Sequence, residues 1–178
     1  HKQCKKQIFG QMSVEPNIKG ITRETLKNWR VAELARERDG AEACIATEDQ
    51  LLEPRRLVIA DDADVSDFWV FGYGSLIYNP IIEHKQRAIA SIYGYHRRFC
   101  LWTKIGRGSP DCPGLVLSLD RGGSCKGVAF QLNPQNAIAE LDLLWRREMI
   151  TLAYQPRLLS LHTDIGLRRG LAFVANPA

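Results

Sequence analysis

The sequence predicts an α+β domain, a mostly antiparallel sheet or small barrel with helices packed on it. Three observations predict it. Short runs rich in Val, Phe, Trp and other strand formers recur from Phe68 onward. Glycine-containing turns separate several of them. A single stretch with apolar residues at helical spacing, residues 134–150, is inserted among the strands.

The elements follow in order. Residues 1–20, opening with the polar and basic HKQCKKQIFGQ, read as a loose arm without the apolar centre of a leader. Residues 21–40 read as one helix, with Thr22 as N-cap, a partial stripe of Leu26, Trp29 and Leu34, and Gly40 as the stop. Thr25 stands where a capping box places Glu, so no capping box is expected. Residues 41–67 are mixed and end in the acidic DDADVSD, which reads as a surface connector. In FWVFGYGSLIYNP, residues 68–80, a buried strand runs into Gly72-Tyr73-Gly74-Ser75. Residues 88–103 form a second strand with Gly94 as a bulge. KIGRGSPDCPG, residues 104–114, is a loop. Residues 114–120 and 125–132 flank Arg121-Gly122-Gly123-Ser124 and read as a hairpin. After the helix at 134–150, residues 157–164 and 168–177 form another hairpin across Ile165-Gly166-Leu167.

The chain has 178 residues, which suits one domain with an appendage. We divide it into an N-terminal arm, helix and connector at 1–67 and the sheet-bearing unit at 68–178. Twenty-four Lys and Arg face 20 Asp and Glu, interspersed, for a net charge of +4. That balance argues against a nucleic-acid partner. No apolar run reaches the roughly 18 residues of a membrane span. The five cysteines, Cys4, Cys44, Cys100, Cys112 and Cys125, include no C-x-x-C pair and read as free thiols of a reducing compartment. The chain begins at His1, as a trimmed product or a fragment does.

Two features point to chemistry. On the 134–150 helix, Ala137, Leu141, Leu144 and Trp145 form one apolar stripe, and the next step lands on Glu148, while Arg146 and Arg147 project to other faces. A carboxylate placed where a core residue belongs has its pKa raised by lost solvation, which suits a general acid or base near neutral pH. The alternative is a structural ion pair with a buried arginine. The second feature is the G-Y-G-S loop. It is a plain turn, or a row of backbone amides able to hold a carboxylate or an oxyanion. It lacks the third glycine of a dinucleotide fingerprint, the Gly-Lys-Ser/Thr of a P-loop, and the G-x-S-x-G of a serine nucleophile elbow.

Other residues carry less. His84, His96 and His162 lack ligand spacing, so no metal site is expected. Tyr95-His96-Arg97-Arg98 reads as a strand alternating core and solvent. Cys100 reads as a small core residue. Arg107 either steers an anion or is a solvated loop residue.

In their order and spacing, FGYGSL, GYHRRFCLWT, GRGSPDCPGLVLSLDRGGSCKGVAFQL and LLWRREMI resemble the ChaC-type, glutathione-specific γ-glutamylcyclotransferases, nearer the bacterial branch. The likeness is specific over residues 68–156 and extends more weakly from about Ile21 to Pro177. The resemblance implies a γ-glutamylcyclotransferase-like fold, a small mixed β-barrel or sheet with packed helices. It implies a cytoplasmic lyase that cyclises the γ-glutamyl group of glutathione to 5-oxoproline and releases cysteinylglycine, without cofactor or metal. It implies that Phe71, Gly72, Tyr73, Gly74, Ser75 and Leu76 cradle the γ-glutamyl group and that Glu148 is the catalytic carboxylate. The chain departs from the family pattern twice. Leu152 stands where the family has glycine, and the family's C-terminal helices are absent after AFVANPA. The readings left open are a cyclotransferase of another γ-glutamyl compound, a non-catalytic ligand-binding or regulatory protein (a cation transport regulator), and an inactive truncated remnant. Oligomeric state is not legible.

Overall fold

The computed structural model describes residues 21–39, 45–103 and 111–176. The loose arm, Cys4, the Gly40 stop, Cys44, Arg107 and most of the 104–114 loop lie outside the described residues.

Five strands close into a barrel. They are β1 (Trp69–Gly72), β2 (His84–Thr103), β3 (Gly114–Leu132), β4 (Tyr154–Thr163) and β5 (Gly166–Ala175), in the spatial order β1, β3, β2, β4, β5. Every ladder is antiparallel except β1 with β5, where Trp69 pairs with Gly170 and Val70 with Leu171. This is the expected α+β barrel with packed helices.

Strand alternation sorts the apolar side chains into two cores. Trp69, Phe71, Ala90, Ile92, Leu161 and Val174 belong to the cluster that fills the barrel. Val70, Phe130, Leu132, Leu171 and Phe173 turn the other way, under the helices. Gly127 on β3 marks how tightly β1 is held. A Cβ there would collide with the Gly72 carbonyl oxygen and the Phe71 ring, so only glycine fits.

The expected hairpin at 114–132 is instead one continuous strand. β3 pairs with β2 along its whole length, from Thr103↔Gly114 to His84↔Leu132. Gly94, Gly122 and Gly123 have φ of +83°, +95° and +68°, and they meet at the register shift between Tyr93 and Tyr95. The glycines bend a ribbon rather than reverse a chain, because a bulge and a tight turn both draw on positive φ. The second hairpin, β4 with β5, forms, but it turns at Asp164-Ile165, with Gly166 and Leu167 already in β5 rather than in the expected turn.

The N-terminal region is more structured than its sequence suggests. Residues 21–39 form two helices, α1 (Arg23–Lys27) and α2 (Arg30–Asp39), broken at Trp29, whose φ is +59°. α1 does carry a capping box. The Thr22 hydroxyl accepts from the Thr25 amide, and the Thr25 hydroxyl accepts from the Thr22 amide, so a hydroxyl replaces the usual carboxylate. The expected connector contains α3 (Glu48–Val58), capped reciprocally by Thr47 and Gln50, with Leu51 fully buried. Its acidic tail is not merely solvated. Asp61 pairs with buried Arg55 at 2.6 Å, and Asp67 Oδ1 accepts from Trp69 Nε1 at 2.6 Å and Gln131 Nε2 at 2.8 Å.

After α4 (Ser75–Tyr78), the helix α5 (Ala137–Glu148) lies on the barrel with the expected stripe of Ala137, Leu141, Leu144 and Trp145 buried. The Trp145 ring meets Phe173 of β5 edge-on at 5.3 Å. Three charged residues of α5 each fix an N-terminal helix. Glu140 accepts a two-pronged contact from Arg23 of α1, at 2.6 and 2.8 Å. Asp142 accepts from Arg55 of α3 at 2.7 Å. Arg146 donates to the Leu26 and Lys27 carbonyls and so caps the C-terminus of α1.

The cysteines depart from expectation. Cys112 is disulfide-bonded, while Cys100 (half-buried) and Cys125 (buried) are free. No helix among the described residues is long and apolar enough to cross a membrane.

Leu152, between α5 and β4, has φ +54°, the left-handed region that favours glycine, and its side chain is exposed. It does not fill the site; it strains the backbone. Replacing Leu152 with Gly is expected to stabilise the protein by about 1 kcal/mol, raising the melting temperature by about 2–4 °C. An unchanged or lower melting temperature in calorimetry contradicts this.

Candidate active site

Strand β1 ends at Gly72, where the chain leaves the barrel and enters the loop toward α4. The six candidate loop residues divide into two groups. Phe71, Gly72 and Leu76 face packing: Phe71 is fully buried, Leu76 is buried, and a Cβ on Gly72 would sit 3.1 Å from both Leu76 and Phe130. Tyr73 turns into the barrel core, and exposure then rises through Gly74 to Ser75. Tyr73 is buried, Gly74 is half-exposed and Ser75 is exposed. A Cβ on Gly74 meets nothing within 4 Å. Packing explains the first glycine; the second is the N-cap of α4, and the space beside it is open.

Glu148 closes α5, and its side chain is only 14% exposed. Its Oε1 lies 3.1 Å from Arg147 Nε, an ion pair whose geometry makes no hydrogen bond. Burial pushes the Glu148 carboxyl above the usual carboxylate range, and the Arg147 charge opposes that shift without cancelling it. Glu148 thus combines a raised carboxyl with an arginine partner.

Arg147 joins the two candidate features. Its Nη2 donates to Ser75 Oγ at 3.2 Å, its Nη1 donates to the Asn79 carbonyl at the end of α4, and its Nε faces Glu148. The helical wheel sends Arg147 to another face, yet its side chain folds back and is only 10% exposed. A wheel places a Cβ, and the reach of a long flexible side chain lies beyond what it records.

Tyr73 forms the inner wall. Its hydroxyl donates to the Phe173 carbonyl at 2.9 Å, and burial pushes the phenol above its ordinary pKa, with Tyr154 and then Glu148 adding in the same direction. Tyr154, the first residue of β4, is thus a member of the site that sequence reading missed, as is Arg147. Arg97 of β2 donates to the Tyr73 carbonyl at 3.4 Å from outside. Two buried polar atoms of α5, Glu148 Oε1 and Trp145 Nε1 one turn before it, make no hydrogen bond, while the Ser118 hydroxyl of β3 lies against the Tyr73 phenol. Buried polar groups are rarely left so, and a polar ligand would satisfy them. Two surface clefts, one between residues 82–85 and 133–135 and one between α1 and α5, are lined by neither Glu148 nor residues 71–76.

Among solved structures, the fold is similar to the glutathione-specific γ-glutamyl cyclotransferase of yeast, with a TM-score of 0.55 and 22% identity over 62% of this chain and 69% of that one. It is also similar to YkqA of Bacillus subtilis, with a TM-score of 0.51 and 19% identity over 69% and 45% of the two chains. The fold is therefore γ-glutamylcyclotransferase-like. In sequence, the chain is 41% identical over 115 residues to the glutathione-specific gamma-glutamylcyclotransferase of Escherichia coli K12, covering 64% of this chain and 50% of that protein. It is 32% identical over 123 residues to the human glutathione-specific gamma-glutamylcyclotransferase 1, covering 66% and 55%. The chain spans about half the length of these relatives. The family model described as ChaC-like protein matches residues 68–177, more than half of the sequence, and the chain belongs to that family.

Proposed function

We propose that the protein cleaves glutathione by cyclising its γ-glutamyl group to 5-oxoproline, with release of cysteinylglycine. The observation that carries this reading is the Glu148 carboxyl, buried, raised in pKa and linked through Arg147 to the open loop at Gly74-Ser75. The names of the relatives agree with it. We place the catalytic unit at residues 68–178, with α1 and α3 bracing α5, and the protein in the cytoplasm.

In this reading the γ-glutamyl α-ammonium loses a proton, and the amine attacks its own δ-carbonyl carbon. The ring C–N bond forms as the carbonyl becomes an oxyanion. Glu148 as carboxylate takes the second proton from the attacking nitrogen. As carboxylic acid it returns that proton to the cysteinyl nitrogen when the old amide bond breaks. The departing amine takes up one further proton to become ammonium, so no water is consumed and the reaction is a lyase. Backbone groups of Gly74 and Ser75 fold the substrate so that amine and carbonyl meet. The raised pKa of Glu148 suits both halves of the shuttle.

Incubating the protein with glutathione and measuring 5-oxoproline tests the reading; absence of product rejects it. Glu148→Gln is expected to lower turnover by at least the roughly 10²–10⁴-fold of a lost general acid/base, and near-normal turnover would reassign the base. The same substitution has a stability signature. A carboxyl whose folded pKa is raised holds its proton more tightly in the native state, so the native enzyme loses stability as pH rises through that window. Glu148→Gln removes that loss and is expected to raise the melting temperature at pH 8 more than at pH 4. Gly74→Val is expected to abolish turnover while near-UV circular dichroism stays native-like, since no atom crowds the new Cβ. Ser75→Ala is expected to be comparatively mild, and the reverse order would point to a serine nucleophile.

A further inference from the structure

The substrate loop and the base come from segments more than 60 residues apart, on opposite sides of the β2–β3 ribbon in sequence. Cyclisation is sensitive to their spacing, because amine, carbonyl and base must meet in one geometry. A single side chain spans that gap. The Arg147 guanidinium contacts Ser75 Oγ at the start of α4, the Asn79 carbonyl at its end, and Glu148 on its own helix. Each of its three nitrogens is thus engaged, and the planar fork fixes their relative directions.

We propose that Arg147 is a positioning residue of this reaction, one guanidinium that sets the distance between the γ-glutamyl loop and the Glu148 carboxylate. The proposal rests on the reading of Glu148 as the base. Arg147 does not touch the reacting atoms in this scheme; it acts through the two groups that do. Its fork holds α4 from both ends, so the loop cannot drift along the barrel rim independently of α5. Its charge acts on the same carboxylate. The groups that face Glu148 are Arg147 on α5 and the Tyr73 phenol from the loop, which in turn neighbours Tyr154 of β4. Arg147 is the cation of that set. It holds the carboxyl below where burial alone would leave it and so keeps a larger fraction deprotonated near neutral pH.

Position and charge separate in two variants. Arg147→Gln removes both the fork and the charge, whereas Arg147→Lys keeps the charge and loses the fork. Turnover of glutathione as a function of pH is one readout. The other is direct titration of Glu148 by carbon-13 NMR of labelled glutamate carboxyls, identified by difference from Glu148→Gln, which needs no substrate. Arg147→Gln is expected to lower kcat/KM by about 10²-fold, the size of a roughly 1 Å misplacement, and to move both the acid limb and the Glu148 titration upward. Arg147→Lys is expected to return both titrations to the parent position while leaving the rate reduced. Full activity in either variant overturns the proposal, as does an Arg147→Gln protein that loses activity with an unmoved Glu148 titration. If Arg147→Gln fails to fold, Arg147→Lys decides alone: a parent-like rate overturns the proposal and a reduced rate at an unmoved acid limb supports it. If the parent protein releases no 5-oxoproline, the cyclotransferase reading fails by itself. The NMR titration then still tests the Arg147–Glu148 coupling, and an unmoved carboxyl in Arg147→Gln rejects it.

Discussion

Helix α5 is the element that ties α1, α3 and α4 to the barrel. One stripe, ending in the Trp145–Phe173 contact, buries it against the barrel wall. Its remaining faces then present charged groups in fixed directions, and each engages a different part of the chain: Glu140 and Arg146 take α1, Asp142 takes α3, and Arg147 takes α4. Apolar contact supplies the main stabilisation and the ion pairs supply direction. Fully burying an aromatic or leucine side chain is worth about 1.5–3 kcal/mol, whereas exposed pairs contribute about 0–1 kcal/mol. The pairs here are partly or fully buried, so removing one partner leaves a charge stranded. That asymmetry makes the arrangement specific without making it strongly stabilising.

Much of this architecture is legible in the sequence because it is written in local periodicity. β1, β5 and α5 carry their burial patterns openly, and so does Glu148, which stands out as a polar residue on an apolar stripe. Features that depend on distant partners are not legible in that way. Gly122-Gly123 supports a turn or a bulge equally well, and only the continuous pairing of β3 with β2 decides. Pro54 and the acidic run after Val58 argue locally against a helix at 48–58, yet Leu51 and buried Arg55 find their partners on α5 and form one. The loop was readable as a site only up to its two glycines. Which of them serves packing and which faces open space depends on Phe130, nearly 60 residues away.

The candidate site breaks a local rule at Glu148, the base of the proposed reaction. A base that works near neutral pH has to be partly desolvated, and desolvation disfavours the charged form the base needs. At Glu148 one adjacent cation, Arg147, offsets part of that desolvation. In the proposed reaction the γ-glutamyl amine would bring a hydrogen-bond donor to the Glu148 carboxylate.

The single parallel ladder between β1 and β5 governs how the chain can fold. Trp69 and Val70 meet Gly170 and Leu171 across about 100 residues of intervening sequence. Contacts of that separation carry a high loop-closure entropy and form late. As the chain emerges from the ribosome, β1 can pair with β3 while its other edge stays bare until the final strand arrives. Until then the nascent domain is an open sheet with an apolar edge, the kind of surface that recruits other strands. Closure of the barrel is thus the event that ends the chain's exposure to aggregation, and a product cut short before Gly166 is a sheet with two free edges rather than a smaller barrel.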